Sequence, residues 1–329
     1  EVYTIKKILL IATGGTIASR KTTGGLAPGL YAEELLSYVP AAQKLCRIQA
    51  IQPMSLDSTN INPSHWIILA NIIEEYYQEF DGFVICHGTD TLAYSAAALS
   101  YLVQDGEKPI VFTGAQRPID QEDTDARQNL MDSLRYASGG PGGVCIVFGG
   151  HVIAGTRARK TRTKSYNAFS SLNFPDLAEI RDQRVVRFIP PKLGGGVRFY
   201  HMLNERVLLL KLIPGMSKEV FMAVSGLCDG LVIESYGVGG IPDMYLSCLE
   251  ELVRRRKTIV LATQVPGEGS DLSVYQVGYR VKSRYGILEP YDMTLEATVT
   301  KLMWILGHAD DQKEIERLFY TPINHDLLF

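Results

Sequence analysis

Two short polar clusters, each directly following an apolar run, carry the residues best suited to chemistry. The first is Thr13-Gly14-Gly15-Thr16, after Ile8-Leu9-Leu10-Ile11-Ala12. Five consecutive apolar residues read as a strand buried on both faces, as in a parallel sheet. The two glycines permit a sharp turn and a close approach of backbone. Thr16 then stands past the carboxyl end of the strand, where open α/β sheets place their ligands. A hydroxyl there, beside the backbone N–H groups of a Gly-rich turn, can act as a nucleophile next to an oxyanion hole. A plain strand-to-loop turn whose threonine bonds its neighbours fits the same residues. Phosphate binding fits less well, because the pattern is not G-x-G-x-x-G and lacks the P-loop lysine.

The second cluster is His87-Gly88-Thr89-Asp90-Thr91, delivered by the apolar Phe83-Val84-Ile85-Cys86. In isolation Asp90 reads as a helix N-cap. His87 reads as a packed strand-end residue, with no second His or Cys at metal-ligand spacing. Position changes the balance, since a second strand end now offers a threonine and an aspartate together. The basic run from Thr156 to Lys164 holds Arg157, Arg159, Lys160, Arg162 and Lys164. Most of it reads as a solvated face. One lysine buried near Asp90 would have a lowered pKa and could move protons, though the run itself does not single one out. Asp120, Glu122, Asp123 and Asp125 lack metal-site spacing and read as a solvated loop.

These clusters need elements to hold them. Residues 20–29 are rich in glycine and small residues and predict a mobile loop, a lid over the first strand's end. A short helix over 31–38 and a strand over 46–51 precede the polar loop Ser55-Leu56-Asp57-Ser58-Thr59-Asn60. Asn62-Pro63 reads as an N-cap followed by proline at the first helical position, starting a helix over 65–80. Residues 110–112 form a further strand, 124–137 a helix, and 167–175 an irregular loop. Pro190 to Gly196 reads as a linker. Beyond it strand–helix alternation restarts, with Thr294 capping the helix that carries Leu295 to Leu306. The chain therefore divides into two α/β domains, 1–190 and 191–329, the second smaller.

The bulk numbers agree with an ordinary globular protein of about two domains: 329 residues, 46% hydrophobic and 21% charged. A net charge of −3 argues against a general nucleic-acid binder. The five cysteines (Cys46, Cys86, Cys145, Cys228, Cys248) are scattered with no C-x-x-C pair, which suits a reducing compartment. No signal-peptide pattern or membrane-length apolar run is found, so a cytoplasmic location without membrane contact is the expectation.

Taken together, Thr13-Gly14-Gly15-Thr16-Ile17, His87-Gly88-Thr89-Asp90-Thr91, Thr113-Gly114-Ala115-Gln116, Lys160 with Asn167-Ala168-Phe169, Tyr236-Gly237-Val238-Gly239-Gly240 and Thr300-Lys301-Leu302-Met303-Trp304 span nearly the whole chain. In that order they resemble the bacterial-type L-asparaginase family, in its cytoplasmic (type I) branch and archaeal relatives. The resemblance implies an α/β fold with a larger N-terminal domain on a mostly parallel sheet and a smaller flavodoxin/Rossmann-like C-terminal domain. It implies hydrolysis of L-asparagine to L-aspartate and ammonia, with no metal or cofactor. On this sequence Thr16 becomes the nucleophile that forms an acyl-enzyme, and Thr89, Asp90 and Lys160 relay a proton and activate water. Asp57, Ser58, Thr59, Gly88, Asp90, Ala115 and Gln116 become the substrate-binding set, with Asp90 on the α-ammonium. A homodimer or homotetramer is implied, its site completed by the partner's C-terminal domain.

Three positions depart from the family pattern. The lid tyrosine, which helps take the nucleophile's proton, is Leu26 here. The Thr and Cys tied to an effector site in some type I members are Arg159 and Val265, so effector control is not expected. A position that reaches across the subunit interface, often Asn, is Gly240. A mixed glutaminase-asparaginase is a neighbouring reading, since one methylene is worth only ~1–3 kcal/mol of discrimination; weaker action on L-glutamine belongs with it. A tRNA-dependent amidase subunit and a non-catalytic amino-acid sensor compete with both. A sensor needs the charge pair but no nucleophile.

Overall fold

The computed structural model describes residues 5–190, 195–274, 278, 282 and 285–328, with the side chains of 21, 22 and 26–28 outside the description. From β1 (Lys7–Ala12) a hairpin of β2 (Ser19–Thr22) and β3 (Gly25–Pro28) leads through α1 (Ala32–Ser37) to β4 (Arg47–Ile51). Next come α2 (Pro63–Tyr76), β5 (Gly82–Cys86), α3 (Leu92–Leu102), β6 (Val103–Gln104), β7 (Pro109–Thr113), α4 (Ala126–Gly139) and β8 (Gly143–Phe148). The strands β9 (His151–Ala154), β10 (Ala158–Lys160), β11 (Phe169–Ser171), β12 (Ala178–Arg181), β13 (Arg184–Arg187) and β14 (Arg198–Phe199) complete a first unit that ends at His201.

One eight-stranded sheet organises this unit, in the order β13-β12-β9-β8-β7-β5-β1-β4. The five strands from β4 to β8 run parallel; β9, β12 and β13 continue antiparallel. Burial follows the sequence pattern: β5 and β7 are buried throughout and β1 and β8 at all but their first residue, as continuous apolar runs require. The chain leaves β1 toward β4 on one side and returns to β5 on the other. The strand order therefore reverses at the carboxyl ends of β1 and β5, the crevice where such sheets bind ligands.

Local signals set the boundaries. Asn62 Oδ1 accepts from Ser64 N, and His65 Nδ1 accepts from Asn62 N at 3.1 Å. With Pro63 in the first turn this starts α2, and His65 is spent on the cap. Residues 20–29 differ from the expected mobile loop: they form the β2–β3 hairpin, with Ser19 paired to Pro28 and Thr22 to Gly25. The backbone bonds of a tight hairpin leave no apolar alternation to read in so short a piece. Likewise Phe169–Ser171, read as irregular, pairs with Ala158–Lys160. Of the linker at 190–196, residues 191–194 lie outside the description, and Arg198–Phe199 pairs with Val103–Gln104.

The second unit, from Met202, holds a parallel sheet of β15 (Val207–Lys211), β16 (Gly230–Ser235) and β17 (Thr258–Thr263) in that order. Helices α5 (Lys218–Ser225), capped by Ser217, and α6 (Leu246–Arg254) belong to it, as does Leu295–Leu306, whose cap Thr294 accepts from Ala297 N. Lys301 of that helix is wholly buried and meets the equally buried Asp326 carboxylate at 2.7 Å, tying the end of the chain to the helix. A buried ammonium demands such a partner. Among the described residues no helix is long and apolar enough to cross a membrane.

Candidate active site

The carboxyl ends of β1 and β5 are sewn together. Thr13 N and Oγ1 both donate to the Cys86 carbonyl, at 2.9 and 3.0 Å. Gly14 and Gly15 follow at φ of 105° and 76°, in the left-handed region that glycine alone adopts cheaply. A Cβ on Gly15 would lie 2.3 Å from Gly88 N and Cα; one on Gly14 would lie 2.5 Å from the Leu56 backbone. One on Gly88 would lie 2.5 Å from Ser58 Oγ. Three loops thus meet backbone against backbone, and each glycine of the Gly15–Gly88 contact is followed by a threonine. Thr16 opens a short 3-10 turn, half-buried, and among the described residues its hydroxyl has no hydrogen-bond partner.

In the loop after β5, Lys160 from the end of β10 donates to Thr89 Oγ1 at 2.8 Å and to Asp90 Oδ1 at 2.6 Å. The lysine side chain is 18% exposed and the aspartate 57%, so the pair faces solvent from the carboxylate side. The basic run therefore yields one site lysine, which Ala158–Lys160 pairing with Phe169–Ser171 holds in place. Because Lys160 donates to Thr89, the threonine's own hydrogen goes to Gln116 Oε1, at 3.4 Å. Gln116 Nε2 donates to the Ser165 carbonyl at 3.1 Å, which fixes the orientation of its amide. Asp90 does not cap α3, the role its residue type alone would give it; its carboxylate is engaged by Lys160.

Ser58 is buried and its Oγ accepts from Asp90 N at 3.3 Å. Asp57 and Thr59 are exposed, and Asp57 Oδ1 accepts from both Thr59 N and Thr59 Oγ1 at 2.9 Å. The Thr59 hydroxyl is therefore spent inside its own turn. Ala115 is buried, in the loop after β7.

That loop depends on a residue whose role the sequence hides. Asp125 belongs to an acid cluster that reads as a solvated loop, yet it is 8% exposed. Its carboxylate accepts from Gln116 N, Arg117 N and Asn129 Nδ2. Burial pushes its pKa up, against the lowering effect of those bonds. Asn129, one helical turn on, also donates to Gly114 O and accepts from Gly149 N. The i, i+4 spacing of Asp125 and Asn129 is the one signal of this in the sequence. Among the described residues no cluster of His, Cys, Asp and Glu could hold a metal ion.

His87 is fully buried as expected of a packed strand-end residue, and burial pushes its pKa down to about 4. Its Nδ1 lies 2.7 Å from the Gly88 carbonyl, an acceptor only, so Nδ1 carries the hydrogen. Nε2 then accepts from Ser95 Oγ at 2.9 Å, and Ser95 accepts from the Trp66 indole N–H at 2.8 Å. Every polar side-chain atom of this relay is satisfied with a neutral ring.

Comparison with known proteins follows the same outline. The family described as "Asparaginase, N-terminal" matches residues 7–192, and "Glutaminase/Asparaginase C-terminal domain" matches residues 206–319. The L-asparaginase of Thermococcus kodakarensis is 39% identical over 96% of this chain and 98% of its own. The structure of the thermostable L-asparaginase from that organism superposes with a TM-score of 0.92, at 38% identity, covering 98% of this chain and 99% of that one. L-asparaginase I of Vibrio cholerae gives 0.89 at 27% identity, covering 99% of this chain and 100% of that one. A glutamyl-tRNA(Gln) amidotransferase subunit of Thermofilum pendens is 35% identical over 98% of this chain and 75% of its own.

The buried histidine makes stability pH-dependent. The unfolded chain protonates His87 near 6.5 while the folded chain keeps it neutral down to about 4. Stability is therefore full above pH 6.5 and falls on acidification toward pH 4. Between pH 7 and pH 5 this group costs ~2 kcal/mol. In urea denaturation His87→Gln, which cannot titrate, should lose about 2 kcal/mol less than the parent over that interval. Equal losses would contradict the assignment.

Proposed function

Because the chain belongs to the asparaginase family, we propose that it hydrolyses L-asparagine to L-aspartate and ammonia with Thr16 as nucleophile. One observation carries the reading. A lysine ammonium bridges a threonine hydroxyl and a carboxylate (2.8 and 2.6 Å), at the strand end whose Gly88 backs onto the glycine before Thr16. A sensor of amino acids would need Asp90 and a set of donors, but not that bridge.

The chemistry runs in two halves. Asp90, with one oxygen on Lys160 and more than half of its side chain exposed, receives the α-ammonium of the substrate. The turn of Asp57, Ser58 and Thr59 receives the α-carboxylate through the Ser58 hydroxyl, with Asp57 and Thr59 bonded to each other to shape the turn, and the backbone of Gly88, Ala115 and Gln116 lines the side-chain amide. Thr16 Oγ bonds to the amide carbon and the C–N bond breaks, releasing ammonia and leaving an aspartyl ester. Water then adds to the ester and frees aspartate and Thr16. The Thr89–Lys160 pair passes the Thr16 proton to the leaving nitrogen, and later passes a proton from water back to Thr16 Oγ. Each half returns the pair to its starting protonation, and a hydrogen-bonded relay of this kind contributes ~10²–10⁴-fold.

Leu26 has no ionisable group, and its side chain lies outside the described residues. The hairpin that bears it serves to exclude water rather than to take a proton. Tyr31, the nearest tyrosine in sequence, occupies the N-cap position of α1 and is 69% exposed.

We also propose that the protein works as a homodimer or homotetramer with a cytoplasmic location. Support comes from the second unit, where Ile213, Val220, Leu227 and Met244 on and around α5 and α6 are 42–75% exposed. Exposed large apolar side chains of this kind are what an interaction surface supplies. Sedimentation at assay concentration should give no active monomer.

Ammonia release tests the reaction. Asparagine should be turned over, glutamine more slowly. Thr16→Ala should lose on the order of 10⁴-fold or more in kcat and Lys160→Met ~10²–10⁴-fold, both folded. Calorimetry should show L-aspartate still binding to Lys160→Met, and Tyr31→Phe should stay within a few-fold of the parent. Retained turnover in a folded Thr16→Ala protein would remove the nucleophile assignment.

A further inference from the structure

Thr91 holds the N-cap position of α3, where a threonine ordinarily accepts a bond from the first turn of its helix. Here it makes no such bond. Its hydroxyl instead donates to the carbonyl of Ser58, 33 positions away in the chain, at 2.7 Å. The neighbouring Asp90 N donates to Ser58 Oγ at 3.3 Å. A side chain that forgoes a local cap for a long-range contact is serving that contact.

On its near side the target turn is tied to the β1 loop, where Leu56 N donates to Thr13 O at 2.8 Å and Leu56 O accepts from Gly15 N at 2.9 Å. Asp57, Thr59 and Asn60 are exposed, and their bonds stay within the turn or reach Ile61. From Asp57 to Asn60, among the described residues, the hydrogen bonds that leave the turn are the two that Ser58 makes with Asp90 and Thr91. The other end of the contact is rigid, because α3 is buried along nearly its whole length. Thr91 thus fastens the far side of the turn to a fixed post.

The two ends of this fastening are the two elements that read the charges of the substrate in the reaction proposed above. An α-amino acid carries its ammonium and carboxylate on one carbon, so their separation is set. A site that grips both must hold its acid and its donors at one matching separation. We infer that Thr91 is a positioning residue that sets the spacing between Asp90 and the Ser58 turn, and so selects ligands that carry both α-charges. This rests on the assignment of those two elements to ammonium and carboxylate.

The substitution Thr91→Val removes the donor at nearly constant volume. Ser58 O keeps its bond from Ile61 N, at 3.1 Å, so the buried carbonyl is not orphaned and the fold survives. The probes are L-asparagine, succinamic acid (asparagine without its ammonium) and 3-aminopropanamide (asparagine without its carboxylate). For Thr91→Val the KM for asparagine should rise about tenfold with kcat within about twofold, the scale of one hydrogen bond. Thr91→Ser, which keeps the hydroxyl, should restore KM to within about twofold of the parent. Inhibition constants of the two singly charged probes should move by less than about threefold, because neither uses both anchors.

An active parent whose Thr91→Val variant keeps the parental KM overturns this inference alone. So does a fall in kcat at constant KM, or an equal weakening of all three ligands, which would mark a merely structural threonine. A folded parent that does not turn over asparagine overturns the reaction itself and this inference with it.

Discussion

Everything at this site depends on two glycines having no side chains. Gly15 and Gly88 approach so closely that a Cβ on the first would sit 2.3 Å from the backbone of the second. Any other residue at Gly15 would drive the β1 and β5 loops apart and also meet the cost of its positive φ. Since Thr16 and Thr89 are the next residues along, the contact sets the spacing of the two backbone segments that carry them. Placement errors of about 1 Å cost on the order of 10² in rate, so backbone contact is a better ruler than flexible side chains. The sheet supplies the rest of the constraint, by reversing its strand order at that crevice.

Around this contact, charge and neutrality are sorted by depth. Below the site the Trp66–Ser95–His87–Gly88 chain is buried, neutral and fully bonded. At the mouth, Lys160 and Asp90 carry charge where the carboxylate still reaches water. The arrangement avoids the large desolvation cost of a deep ion pair while leaving one Asp90 oxygen, among the described residues, without a hydrogen bond and open to a cationic ligand. On the flank, Asp125 and Asn129 lock the loop that presents Ala115 and Gln116, and Gln116 orients the Thr89 hydroxyl. The bonds of Asp125 and Asn129 to this loop run from side chain to backbone, which is why it can be irregular and still well placed.

Much of this is legible in the residues. Apolar runs of five and four residues, each followed by Gly and Thr, announce buried parallel strands, and Asn62-Pro63 and Thr294 announce helix starts that the structure bears out. What escapes are features whose physics is long-range. Lys160 cannot be told from its basic neighbours, because its burial comes from a three-residue strand pairing too short to leave a period. Asp125 looks like a solvated acid because its partners are backbone N–H groups nine and eight positions back. The β2–β3 hairpin looks mobile because glycine serves a tight turn and a loose loop equally. Asp90 looks like a helix cap, and only the Lys160 contact shows otherwise.

The central claim is that Thr16 carries the acyl group. Rapid quenching of the enzyme with L-asparagine into acid, followed by mass spectrometry of the peptides, tests it directly. The account predicts an added mass of one aspartyl group on the peptide that contains Thr16, rising and decaying with ammonia release and absent from Thr16→Ala. An aspartyl group found on a different residue, or a burst of ammonia with no adduct anywhere, would contradict it.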